Sequence, residues 1–160
     1  MKKLLKTIRA LSLVNHLVRI TVRWGIGWAK RADRFFTTHW PVTGTISFGL
    51  PEGEHVYLWS KGDDYVSTQA FWQGYDGYEG PSIKLFYQMA KYCECIIDIG
   101  ANVGYFSLIA AASNPKAQII AFDPVPSVCQ RLQKNILLNK YENVEVIQAV
   151  IGDINDNIDF

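Results

Sequence analysis

The sequence predicts an α/β fold, a parallel sheet preceded by an N-terminal helix and a β-hairpin. Three observations carry that expectation. From Cys95 onward, short apolar runs alternate with helical segments across short connections, the pattern of parallel strands joined by crossover helices. The first of these runs ends in an acid and a glycine turn, IIDIGANVGYF (residues 96–106). Upstream, two β-like runs flank a Pro/Gly loop, which reads as a hairpin.

The elements follow in order. Residues 3–24 read as a helix, because Leu4, Ile8, Leu11, Val14, Val18 and Val22 recur at three- and four-residue steps. Leu13, Leu17, Ile20 and Trp24 widen that stripe, and Gly25, Gly27 and Pro41 break the pattern. Residues 45–48 and 55–59 form the hairpin around the turn 50–54. A short helix over 63–73 opens on an aspartate cap, and after the loop 74–82 Pro81 starts a helix that runs through Met89. The α/β part then predicts a strand at 95–99, a helix at 105–113, a strand at 118–122, a helix at 127–139 and a strand at 144–150. Right-handed crossovers set the three strands side by side.

Composition bounds the function. At 160 residues there is room for one domain and little more. Net charge is +1, but it is unevenly spread: residues 1–34 hold nine Lys/Arg against Asp33 alone, and the remainder is net acidic. A basic arm of this kind suits either packing on its own domain or lying on an anionic membrane surface. No nucleic-acid motif accompanies it, so no nucleic-acid partner is expected. Arg9, His16, Arg19 and Arg23 interrupt the apolar stretch, which excludes a secretion signal and a membrane-spanning helix there. Cys93, Cys95 and Cys129 are an odd set without framework spacing, and no metal site is expected around Cys93-Glu94-Cys95. Reduced thiols fit a cytoplasmic location, membrane-peripheral if the basic arm docks.

The chemistry centres on the turn. A strand ending in Asp98, then Gly100-Ala101-Asn102-Val103-Gly104, then a helix, brings backbone close to a ligand. A dinucleotide fingerprint would need glycine where Asn102 and Tyr105 stand, and no Gly-Lys-Ser/Thr follows for a P-loop. S-adenosylmethionine fits better, since it carries no phosphate but has an ammonium, a carboxylate, a sulfonium and a ribose. Asp98 can orient its cationic amino-acid end. Asp123, at the tip of the second strand and 19 residues after Gly104, can accept hydrogen bonds from the ribose hydroxyls. Asp153, after the third strand, is placed to reach the adenine amino group. The competing reading is that strand-end acids serve as helix caps and turn residues. His16, His39 and His55 lie outside this cofactor half and are expected to be structural or exposed, so the catalytic residues are unknown.

DIGANVGYFSL (98–108), AFDPVP (121–126), the Leu132, Asn135, Leu138 and Asn139 run, and NVEVIQAVIGD (143–153) together resemble the FkbM family of S-adenosylmethionine-dependent methyltransferases. The segment GYEGPS resembles the Tyr-Glu-containing stretch upstream of that family's domain. The resemblance implies a class I methyltransferase (Rossmann-like) sheet, here incomplete. It also implies methyl transfer to a hydroxyl of a sugar or small metabolite. Asp98, Gly100, Asn102 and Gly104 match the family's cofactor loop, with Ala101 and Tyr105 in the same turn. Asp123 matches its ribose acid, where glutamate is more frequent. The family's sheet has seven strands and a later Asp-x-Glu-Gly segment, which this sequence does not reach. The expectation is therefore a basic helix and linker over 1–40, and a domain over 41–160 cut short after its third parallel strand. Two other readings remain: a non-catalytic, membrane-peripheral module with an incomplete cofactor fold, and, more weakly, a nicotinamide-dependent oxidoreductase.

Overall fold

A computed structural model describes residues 12–24 and 40–153. The first turns of the expected N-terminal helix, the segment 25–39 with His39, and residues 154–160 lie outside the described residues. The elements are α1 (Ser12–Trp24), β1 (Thr43–Gly49), β2 (His55–Lys61), α2 (Tyr65–Gln73), α3 (Gly80–Ala90), β3 (Cys95–Ile99), α4 (Tyr105–Ser113), β4 (Gln118–Phe122), α5 (Pro126–Asn139) and β5 (Val144–Ile147).

The hairpin pairs β1 with β2 antiparallel, with Ile46 opposite Leu58 and Phe48 opposite Val56. These four side chains are buried while Thr45, Tyr57 and Gly49 face outward, the period-2 alternation of a one-sided sheet. Asp64 caps α2, its Oδ1 accepting from the Ser67 N–H at 2.6 Å. Pro81 sits in the first turn of α3, where its missing N–H costs nothing.

The second sheet is parallel, in the order β3-β4-β5, as right-handed crossovers require. One face is closed: Ala121 shares a core with Leu108 and Ile109 of α4 and with Leu132 and Ile136 of α5, and Ile119 is buried in a second cluster with Ala110 and Ala111 of α4. The other face is open among the described residues, with Ile97 60% and Ile99 62% exposed. β5 is shorter than its sequence suggests. The β4–β5 ladder ends at Phe122 opposite Ile147, and beyond it the Ala149 N–H turns back to the Ile147 carbonyl at 3.1 Å. Residues 148–150 have alternation but no strand to pair with.

Two asparagines join the hairpin to the parallel sheet. Asn135 and Asn139 lie one turn apart on α5 and face the edge of β2. The Trp59 N–H donates to Asn135 Oδ1 at 2.7 Å and the Tyr57 N–H to Asn139 Oδ1 at 2.8 Å. Asn139 Nδ2 returns a bond to the Tyr57 carbonyl at 2.7 Å. Side-chain amides thus satisfy backbone groups that another strand would otherwise have to meet. Nearby, Arg131 forms a bidentate pair with Asp63, both N–O distances 2.9 Å, holding the α2 entry against α5.

Candidate functional site

The turn between β3 and α4 is shaped by close packing. Gly104 has φ +90°, and a Cβ there would lie 2.2 Å from Leu132 Cδ1. Asn102 also takes a left-handed backbone (φ 50°), which asparagine tolerates better than most residues. Asn135, fully buried, donates from Nδ2 to the Val103 carbonyl at 2.8 Å. The same side chain that holds β2 therefore holds the turn.

Most of the turn's backbone donors are already engaged. The N–H groups of Gly100 and Ala101 both donate to the Phe122 carbonyl, at 2.8 and 2.9 Å. The Asn102 N–H donates to Asp123 Oδ2 at 3.1 Å, and the Gly104 N–H to the Ala101 carbonyl at 2.8 Å. A phosphate needs such donors pointing outward. This arrangement spends them internally, which disfavours a pyrophosphate and with it the nicotinamide reading.

The two strand-tip acids are brought together. Asp98 Oδ2 accepts from the Ser107 N–H at 3.1 Å and from Ser107 Oγ at 2.5 Å, so it satisfies an early donor of α4. Asp123 is buried; besides Asn102, its Oδ1 accepts from the Val125 N–H at 3.0 Å. Both acids thus do the capping and turn work expected of strand ends. That work does not balance their charge. Burial pushes the Asp98 carboxyl above its ordinary value, the two Ser107 hydrogen bonds pull the other way, and the Asp123 charge adds to the rise. Two carboxylates repelling one another across a ligand turn favour a cationic ligand group. Each oxygen also retains lone-pair capacity beyond the bonds named.

A cavity of about 330 Å³ opens beside the turn, lined by Tyr78, Glu79, Asp98, Gly100, Asn102 and Tyr105 among others. Its size lies within the range of small-molecule sites. Tyr105 reaches it from the core: its ring packs against Phe48 and Tyr78, and its hydroxyl donates to the Tyr75 carbonyl. Ala101 is buried, and Asp153 is exposed in a bend after β5, apart from this cavity's lining. Glu79 enters the lining with a left-handed backbone (φ 48°) at the start of α3. In the sequence it stands out only through the GYEGPS likeness; its approach to Asp98 depends on how α3 packs on α4. Asp123 lies outside the lining of this cavity, and a larger groove of about 670 Å³, lined by Glu54, His55 and Lys140 among others, contains neither Asp98 nor Asp123. His16 packs edge-on against Phe71, so neither described histidine faces the turn.

Residues 83–159 match the family described as the TRM5/TYW2 methyltransferase domain. The resemblance is to S-adenosylmethionine-dependent methyltransferases. Methyltransferase 1 of Beauveria bassiana is 33% identical over 57 residues, 36% of this chain and 23% of that protein. Methyltransferase sdnD of Sordaria araneosa is 46% identical over 44 residues, 28% of this chain and 17% of that protein. AMB antimetabolite synthetase AmbE of Pseudomonas aeruginosa is 42% identical over 59 residues, 36% of this chain and 3% of that protein. The matched stretches therefore span less than a quarter of these curated relatives' lengths. Among solved structures, Pyrococcus horikoshii TYW2 in complex with MeSAdo is 30% identical, with a TM-score of 0.37, covering 42% of this chain and 27% of that one. The matched family is the TRM5/TYW2 domain and not the FkbM family, so the comparisons support the methyltransferase part of the sequence expectation and not its FkbM part.

Proposed function

We propose that this chain holds the cofactor-binding part of a methyltransferase that uses S-adenosylmethionine. The observation that carries the reading is the pairing of Asp98 and Asp123 at adjacent parallel strand tips, around a turn whose backbone donors are already engaged. Such a site suits a cationic, hydroxyl-bearing ligand rather than a phosphate. Asp98 holds the ammonium end of the ligand, with Glu79 on the same cavity wall. Asp123 accepts from the ribose hydroxyls. Gly100, Ala101, Asn102 and Gly104 bring the backbone alongside it, and Tyr105 closes the inner wall. Asp153 reaches the adenine edge. When bound, the cofactor supplies an electrophilic methyl carbon, and the protein's contribution is to hold it near an acceptor.

The acceptor in this reading is a hydroxyl of a sugar or small metabolite, which rests on the FkbM resemblance of the motifs. Residues 41–160 are the part of the domain that grips the cofactor, and residues 1–40 a basic helix and linker. Calorimetric titration of the chain with S-adenosylhomocysteine tests the site. Asp123→Ala is expected to weaken binding at least about tenfold, roughly 1.4 kcal/mol. Unchanged affinity in that variant would remove the ribose role.

A further inference from the structure

Helix α1 packs with the opposite polarity to an ordinary surface helix. The side that meets the domain carries Asn15, which is buried and accepts a hydrogen bond from Trp40 Nε1 at 3.2 Å. His16 lies edge-on to Phe71 at 5.5 Å, and Val18 packs against the core. The aliphatic residues on the other side face solvent: Leu13 is 74% exposed, Leu17 54% and Ile20 52%. Their spacing of four and three residues places them on one continuous stripe. Three large aliphatics aligned in water, beside a polar residue turned inward, cost free energy unless something apolar covers them.

The charge around this stripe identifies the cover. Helix α1 contains no Asp or Glu. Residues 1–34 as a whole carry nine Lys/Arg and one acid. An exposed apolar stripe on a helix without acids, within a strongly basic N-terminal segment, fits the boundary between lipid tails and anionic headgroups. A second copy fits poorly, because pairing the stripes would bring two strongly basic arms together. A nucleic acid offers the charge but no apolar phase for Leu13, Leu17 and Ile20. No helix among the described residues is long and apolar enough to cross a membrane.

We infer that α1 docks the protein on anionic lipid surfaces through Leu13, Leu17 and Ile20, with the basic arm supplying the attraction. The contact stands independently of the cofactor site. Flotation of the full 160-residue chain with vesicles tests it, comparing phosphatidylcholine alone with an equimolar phosphatidylcholine–phosphatidylglycerol mixture. Binding is expected to the anionic vesicles, to weaken with added salt, and to fall at least about tenfold in Leu13→Ser/Leu17→Ser/Ile20→Ser. Because these side chains are exposed, the triple variant is expected to keep the parent's circular dichroism and its S-adenosylhomocysteine affinity. A second variant, Lys2→Gln/Lys3→Gln/Lys6→Gln, is expected to lose preference for the anionic vesicles while leaving the stripe intact. Equal binding to both vesicle types, or undiminished binding by the triple variant, overturns the inference. So does a concentration-dependent dimer that the triple variant abolishes without any vesicle binding by the parent.

Discussion

Two pairs of polar side chains cross the interior of this protein, and they end in different states. Asn135 and Asn139 join α5 to β2 and to the glycine turn through bonds that run both ways, donor to acceptor and acceptor to donor. Asp98 and Asp123 join the turn to α4 and to the segment after β4, but only as acceptors. The asparagines are neutral and fully used. Asp98 is held partly out of water beside the buried Asp123, and burial together with that neighbour raises its proton affinity. Hydrogen bonds alone do not separate the two pairs, since both do structural work. The uncompensated charge does. It is the feature on which the proposed cofactor role of this pair rests.

The largest effect should come from the neutral pair. Asn135→Ala leaves the Trp59 N–H and the Val103 carbonyl without their buried partner. Each orphaned group costs about 1–3 kcal/mol, so a loss of about 3 kcal/mol is expected in urea denaturation. A loss under about 1 kcal/mol would mean that water replaces the side chain and that the hairpin is not held through it. Gly104→Ala should cost less, roughly 2 kcal/mol, through backbone strain at φ +90° and displacement of Leu132. It acts on the wall between the two pairs, so the same variant should also weaken S-adenosylhomocysteine binding. A destabilised variant with unaltered affinity would separate the turn's packing from its ligand role.

These dependencies also explain what the sequence could and could not reveal. The bounds of β3, α4 and β4 agree with the sequence expectation because local stops set them: Gly100 after the first strand, Asn114-Pro115 after the helix, Pro124 after the second strand. β5 was expected to reach Val150 because its alternation continues, yet a strand ends where its neighbour ends, and β4 stops at Phe122. The asparagines were visible only as a motif. Their task depends on an edge strand 76 to 82 residues away. Helix α1 was legible as a helix, but its apolar stripe was too wide to show which part would turn inward, and Asn15 took that place. The acids were legible as strand-tip residues. That both also serve as caps follows only from the bonds to Ser107, Asn102 and Val125.

The smallest effect is the most direct test of the contrast between the pairs. Asp98 has a carboxyl raised above its ordinary value of 3.8, first by burial and then by Asp123. Its folded form therefore keeps a proton that the unfolded chain has already released. Stability from this group is fully present below pH 3.8 and is lost as pH rises through the raised native value, after which it is flat. Other carboxylates impose slopes of their own, so the informative quantity is the difference between the parent and Asp98→Asn. That difference should shrink in the parent's disfavour across this window, because the amide keeps an oxygen for Ser107 without gaining a charge. Asn135→Ala, measured over the same range, should give a penalty that does not change with pH. A cation placed beside Asp98 should flatten the aspartate's slope, so saturating S-adenosylhomocysteine is expected to bring the parent's curve closer to that of Asp98→Asn. If the slope persists with the ligand bound, the charge at Asp98 is answered by something other than the ligand's ammonium group, and the carboxylate is a cap for α4 and nothing more.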